Sequence, residues 1–266
     1  MIAREFAEWA TLYFHLWRSA TEIFCAVCPP QVASCRCATS DNPFMIVTAN
    51  LQEYIQISST IPGWTRNEDA EELARASFSL NKDAVIVEIG AFLGCCTVLL
   101  AGARCVQGSG KVHSVDPFDC SGDAFSVPYY RDIIASLGGG SLRDHFEANI
   151  RKAGLSGWVH VHEGRAAEVA ATWELPIDLL LLDGDQSPRG AREAFDSWVP
   201  FLKPGGIIVL RNTKPREYAE KHDGHRRLVI EQILPPRFTD ARLVGATTFA
   251  RKSADYSRHL ELGPRV

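Results

Sequence analysis

The sequence predicts an α/β protein: a doubly wound, mostly parallel sheet of seven strands, closed by an antiparallel C-terminal hairpin and preceded by an N-terminal helical appendage. Three observations point there. Five short runs of branched apolar residues recur along the chain: AVIVEI (84–89), KVHSVD (111–116), WVHVH (158–162), IDLLLLD (177–183) and GIIVL (206–210). Strands buried on both faces of a parallel sheet require such runs. Helical windows alternate with them, as crossover connections demand. Residues 237–252, RFTDARLVGATTFARK, then read as two strands about Gly245-Ala246, which is the pattern of a hairpin.

Taken in order, the chain opens with apolar residues at helical spacing. Ile2, Phe6, Trp9, Tyr13, Leu16, Trp17, Ala20 and Phe24 make one stripe, while Arg4, Glu5, Glu8, Arg18 and Glu22 interrupt it well before the run that a membrane span needs. An amphipathic helix is expected, packing on its own domain or on a second copy in a homodimer. Residues 29–44, PPQVASCRCATSDNPF, have no apolar period and read as a linker, which divides the chain into an appendage over 1–44 and a main domain over 45–266. Cys25, Cys28, Cys35 and Cys37 are read as free thiols: their spacing lacks the two C-x2-C pairs across a longer loop that zinc sites commonly use.

A helix is expected over 68–80 (EDAEELARASFSL), with Asn67 as its N-cap and acidic residues in its first turn. A later helix carries Ala191, Ala194, Phe195, Trp198, Val199 and Leu202 on one face, and the turn Lys203-Pro204-Gly205-Gly206 is expected to end it.

Composition narrows the function. The 28 Lys and Arg against 32 Asp and Glu leave a net charge of −4, so no overall basic field gathers nucleic-acid phosphates. Eight cysteines in 266 residues, without the small secreted format that disulfide scaffolds take, suggest reduced thiols and a cytoplasmic protein.

In a doubly wound sheet, ligands bind beyond the carboxyl ends of the strands, so the residues ending each strand carry the chemistry. The first strand ends in Glu88-Ile89-Gly90-Ala91-Phe92-Leu93-Gly94, a carboxylate followed by a glycine turn. It lacks the G-x-G-x-x-G spacing of dinucleotide sites, which argues against a nicotinamide oxidoreductase; its carboxylate suits a cationic ligand better than a pyrophosphate. The second strand ends at Asp116, 26 residues after Gly90, where an acceptor-only side chain can take two ribose hydroxyls. The third ends in His162-Glu163-Gly164-Arg165, the fourth in Asp183-Gly184-Asp185 and the fifth in Arg211-Asn212. His222 and His225 in the polar loop KHDGHRR could reach the cleft as bases but are read as solvated, Cys95 and Cys96 are read as packing residues, and Trp64 as either a cap over a ligand or a core residue.

The ordered motifs VEIGAFLGCCT, HSVDP, HEGRAAEV, LLLLDGDQS and LKPGGIIVL resemble those of class I S-adenosylmethionine-dependent methyltransferases over about residues 60–252. Ile61-Pro62-Gly63-Trp64 and the D-G-D turn resemble, within them, small-molecule O-methyltransferases of the macrolide-sugar and antibiotic-tailoring kind. The resemblance implies that Glu88, Gly90, Ala91 and Gly94 shape the methionine pocket, that Thr97 lies near the methionine carboxylate, that Asp116 holds the ribose, and that Gly164 and Arg165 border the adenine. It further implies that Asp183 borders the cofactor and that Asp185 is the general base for a hydroxyl acceptor, a sugar or secondary metabolite. Metal-dependent relatives bind magnesium at the first Asp of the turn and at two further residues after the fifth strand. Here Arg211 stands at one of those positions, leaving Asp183 and Asn212 as the only donors. Since a guanidinium cannot ligate magnesium, the expectation is transfer without metal, Arg211 pairing with Asp183 or steering the acceptor. N-methylation of an amine, and a non-catalytic subunit that only binds the cofactor, remain alternatives.

Overall fold

The computed structural model describes residues 43–254; the expected N-terminal aromatic helix and the Cys25–Cys37 pattern lie outside them. Strands form where the branched apolar runs fall: β1 (Val85–Ile89), β2 (Lys111–Asp116), β3 (Val159–Glu163), β4 (Ile177–Leu182), β5 (Leu202–Leu210), β6 (Phe238–Val244) and β7 (Thr247–Lys252). They make one sheet in the order β3-β2-β1-β4-β5-β7-β6. The first five are parallel, and β7 runs antiparallel to both β5 and β6. The order reverses between β1 and β4, which opens a crevice at their carboxyl ends.

Period-two alternation along the central strands fills a core on each face. Ile86 of β1 and Leu179 and Leu181 of β4 face a cluster with Leu73, Leu99 and Phe146. Val87 and Ile89, with Leu180 and Leu182, face a second cluster with Phe195, Trp198 and Leu228. The first cluster is covered by α1 (Pro43–Ser59), α2 (Asn67–Phe78), α3 (Cys95–Gln107) and α5 (Leu142–Lys152). The second is covered by α7 (Pro188–Trp198) and α8 (Gly224–Gln232). Two further helices, α4 (Ser126–Ser136) and the single turn α6 (Ala166–Ala170), follow β2 and β3. Every buried β1 or β4 side chain therefore has partners on a helix, and the burial of such large aliphatic groups contributes roughly 1.5–3 kcal/mol each.

Four expectations are corrected. The linker expected to run to residue 44 gives way to α1 at Pro43, because proline is preorganised for the first turn of a helix. Asn67 is the first residue of α2, not its cap: it sits at φ 50° and Arg66 occupies the N-cap position. The same helix ends at Phe78, two residues early. The Lys203-Pro204-Gly205-Gly206 turn lies inside β5, which begins at Leu202. Ile177 pairs with Leu202 but Leu179 with Ile207, so the Pro-Gly-Gly segment forms an irregularity within the strand. Among the described residues no helix is long and apolar enough to cross a membrane.

Candidate active site

The carboxyl edge is tightened by bonds that run past the strand ends. Gly90 N–H donates to Val115 O at 2.9 Å and Asp183 N–H to Ile89 O at 2.9 Å, so the turns after β1 and β4 lie against each other. Gly90 is required there. It sits at φ 90°, and a β-carbon on it would fall 2.5 Å from Gly184 Cα, where backbone cannot yield. The cleft so formed is lined by Gly90, Asp116, Gly164, Arg165, Asp183 and Asp185 among the residues singled out in the sequence, with Phe92 and Tyr130 as its aromatic wall.

The remaining expected cofactor residues support the cleft without lining it. Glu88 is fully buried and receives hydrogen bonds from Thr97 Oγ1 at 2.5 Å and Ser114 Oγ at 2.9 Å on the same oxygen. Burial pushes its carboxyl up to about 8 against the opposing effect of those two bonds. Thr97 is thus committed to Glu88. Ala91 is buried in the turn, and Gly94 is the N-cap of α3. Asp116 Oδ2 accepts the Phe92 N–H at 2.9 Å and Oδ1 the Phe118 N–H at 2.7 Å, which fixes the carboxylate at the rim and leaves lone pairs on both oxygens. Arg165 is open to solvent, 3.8 Å from Asp119.

At the end of β5, Arg211 is buried and spans two carboxylates: its Nε lies 3.5 Å from Asp183 Oδ2 and its Nη1 3.3 Å from Asp69 Oδ1, with a further bond to Thr247 Oγ1 at 2.7 Å. Burial raises the Asp183 carboxyl to about 7, held back by the Arg211 charge. Asn212 donates from Nδ2 to Gln186 Oε1 at 2.8 Å and to His222 Nε2 at 3.0 Å, and accepts from Arg216 on Oδ1 at 2.6 Å. These residues do not fit magnesium: a guanidinium shares Asp183, both polar atoms of Asn212 are engaged, and among the described residues no group of three His, Cys, Asp or Glu could hold an ion.

Two histidines were misread in the sequence. His222 is not solvated but buried, with Nδ1 2.9 Å from Asp123 Oδ1; the two are 99 residues apart, and nothing local signals the pairing. Trp64, half exposed, packs tilted against Phe92 and edge-on to Tyr130, with ring centroids 5.8 and 5.7 Å apart, and so backs the aromatic wall of the cleft. His225 is also buried. Its Nδ1 donates to Arg211 O at 3.0 Å, and burial pushes the imidazole down to about 4, so it is uncharged and structural. Cys95 and Cys96 are buried, and the Cys96 thiol lies 2.9 Å from Thr65 Oγ1 and donates to Asp183 Oδ2 at 3.7 Å, so it does more than fill space.

Residues 87–213 match the family described as "Methyltransferase domain". Solved structures with the same fold include the O-methyltransferase NovP, at 14% identity and a TM-score of 0.56 over 78% of this chain and 99% of that one. The O-methyltransferase from Bacillus cereus in complex with S-adenosylhomocysteine aligns at 17% identity and a TM-score of 0.53 over 77% and 91% of the two chains. TomG from Streptomyces achromogenes, an O-methyltransferase involved in tomaymycin synthesis and solved with S-adenosylmethionine, aligns at 17% identity and a TM-score of 0.51 over 77% and 89%. The family match over 87–213, the strand order and the glycine turn after β1 together identify a methyltransferase domain of this fold within the chain.

Proposed function

We propose that the chain transfers the methyl group of S-adenosylmethionine to a hydroxyl of a small-molecule acceptor, and that it does so without a metal ion. One observation carries the reading: a single cleft holds a rim carboxylate, Asp116, at the end of β2 and a paired-carboxylate turn, Asp183-Gly184-Asp185, at the end of β4. In this reading Asp116 binds the two ribose hydroxyls with its free lone pairs. Gly90 lets the methionine lie against the backbone, Glu88 braces the start of α3 beneath it through Thr97, and Gly164 and Arg165 border the adenine. The sulfonium is already a good leaving group, so the protein has to align an oxygen with the methyl and provide for its proton. Asp183, fixed by Arg211, and Asp185 hold the acceptor at the floor of the cleft.

The charge that magnesium would bring to such a site is supplied by the Arg211 guanidinium, whose Nε stands 3.5 Å from Asp183 Oδ2. The test is calorimetry with S-adenosylhomocysteine, followed by transfer of labelled methyl to a panel of phenols, sugars and amines. Binding with turnover of a hydroxyl acceptor supports the reading. Turnover of amines only moves it to N-methylation, and binding without turnover to a non-catalytic subunit.

A further inference from the structure

Asp185 is exposed, and its Oδ1 already accepts the Ser187 N–H at 2.8 Å, so solvent and backbone compete for it. A buried and oriented candidate is His222. The imidazole of His222 is held between Asp123 and Asn212, and both neighbours fix the same tautomer. Asp123 is a carboxylate that only accepts, so Nδ1 carries the hydrogen toward Oδ1 at 2.9 Å. Asn212 is oriented independently, because Arg216, which only donates, occupies its Oδ1. Its Nδ2 therefore donates, and Nε2 of His222 presents a lone pair to it at 3.0 Å.

Asp123 is itself prepared for a positive partner. Its Oδ1 also takes the N–H groups of Phe125 and Ser126 at the start of α4, and its Oδ2 is buried with no hydrogen-bond partner among the described residues. The pair does not itself line the cleft, but chain neighbours of it and of its partners do. Gly122, which lines it, precedes Asp123 in the chain; Gln186, which shares the Asn212 amide, follows Asp185; and the Tyr130 hydroxyl of the cleft wall lies in the field of both Asp183 and Asp123.

We propose that His222, oriented by Asp123, accepts the proton of the hydroxyl that is methylated. This rests on the reading of hydroxyl methylation above. The acceptor hydroxyl takes the place of the Asn212 Nδ2 donor at Nε2, while Asn212 keeps its bond to Gln186. As the acceptor oxygen bonds to the methyl carbon, the carbon–sulfur bond breaks and its electron pair goes to sulfur, giving S-adenosylhomocysteine. The hydroxyl proton moves to Nε2, and the imidazolium so formed is paired with the Asp123 carboxylate until solvent takes the proton. Besides Asp123, the groups around His222 are Phe125 with its ring centroid 4.6 Å away, His225 on α8, kept uncharged by burial, the adjacent Asp223, Tyr218 with its ring centroid 6.4 Å away, and Arg216 through Asn212. None of these offers a second anion in contact with the ring.

Two measurements test this. Imidazole nitrogen-15 NMR of the full chain with S-adenosylhomocysteine bound needs no acceptor: His222 is expected with hydrogen on Nδ1 and a bare Nε2, and Asp123→Asn should mix or invert that tautomer. Hydrogen on Nε2 in the unmutated protein would overturn the proposal. With the phenol or sugar that the unmutated protein methylates, His222→Asn should lower kcat by about 100-fold or more, the usual scale of a lost general base. It should leave S-adenosylhomocysteine affinity unchanged, which shows that the variant is folded. An unchanged kcat would also overturn it. If the unmutated protein methylates only amines or nothing, the hydroxyl reading fails, whereas the tautomer measurement still stands or falls by itself.

Discussion

Arg211 holds its Nε 3.5 Å from Asp183 Oδ2 under the floor of the cleft, with 6% of the arginine side chain and 22% of the aspartate exposed. Removing one partner of a buried ion pair strands the other, which typically costs about 3–5 kcal/mol. Arg211→Ala is expected to cost that much at pH 8, in urea unfolding. The loss should be smaller at pH 5, because Asp183, already raised to about 7 by burial, then takes a proton and no longer needs the cation. Equal losses at both pH values would mean that the pair contributes packing only.

Glu88 gives the fold an alkaline liability. Its folded carboxyl titrates at about 8, far above an unfolded glutamate at about 4.3. Between those values the folded protein keeps a proton that the unfolded chain has released, so stability falls as pH rises through the window and levels off above it. Asp183 acts in the same direction up to about 7. Glu88→Gln should flatten the decline of melting temperature between pH 5 and pH 8 in the cofactor-free protein. An unaltered slope would contradict a protonated Glu88.

The attachment of α1 depends on Gly102. A β-carbon there would lie 2.3 Å from Cγ of the Tyr54 ring, which packs across α3. Alanine in a helix gains about 1 kcal/mol over glycine, but overpacking of this kind costs about 1–3 kcal/mol, so Gly102→Ala should lower the melting temperature. The double variant with Tyr54→Ala should recover part of the loss relative to Tyr54→Ala alone, since the clash has gone; a purely additive cycle would argue against the contact.

Asp116→Ala should weaken S-adenosylhomocysteine binding by about 1.5–3 kcal/mol, the scale of hydrogen bonds to a charged group. It also leaves the Phe92 and Phe118 N–H groups without their acceptor. Asp116→Asn, which retains an oxygen for one of them, should lose less. Calorimetry on folded variants decides this, and an unchanged affinity would move the ribose elsewhere.

The sheet was legible because its signals are local and strong. Each of the five parallel strands announces itself by branched apolar residues, and the glycine turn after β1 by the spacing of Gly90 and Gly94. The hairpin at Gly245 follows from two apolar runs about one turn. Helices α4 and α8 were not singled out: α4 has a single buried residue and α8 lies in the polar loop after β5, so neither has a strong apolar stripe. The strand limits near Lys203-Pro204-Gly205-Gly206 were misread because the same residues that make turns also make strand irregularities, and only pairing with β4 distinguishes them. In the site, the strand-end carboxylates were visible one by one. The Asp123–His222 pair was not, since a histidine's burial and partner depend on tertiary contact. Asp69, which braces Arg211, sat unnoticed among the acidic residues of the first turn of α2.

The most direct test of the account is methyl transfer from labelled S-adenosylmethionine to an accepted hydroxyl compound, measured with and without excess EDTA and again after adding magnesium. The pairing of Arg211 with Asp183 predicts the same rate in all three conditions, because the guanidinium supplies the charge and repels a hydrated cation. Calorimetric titration with magnesium should likewise show no binding to the unmutated protein. Loss of transfer in EDTA, restored by magnesium, would contradict the account and make Asp183 and Asn212 ligands of an ion completed by water.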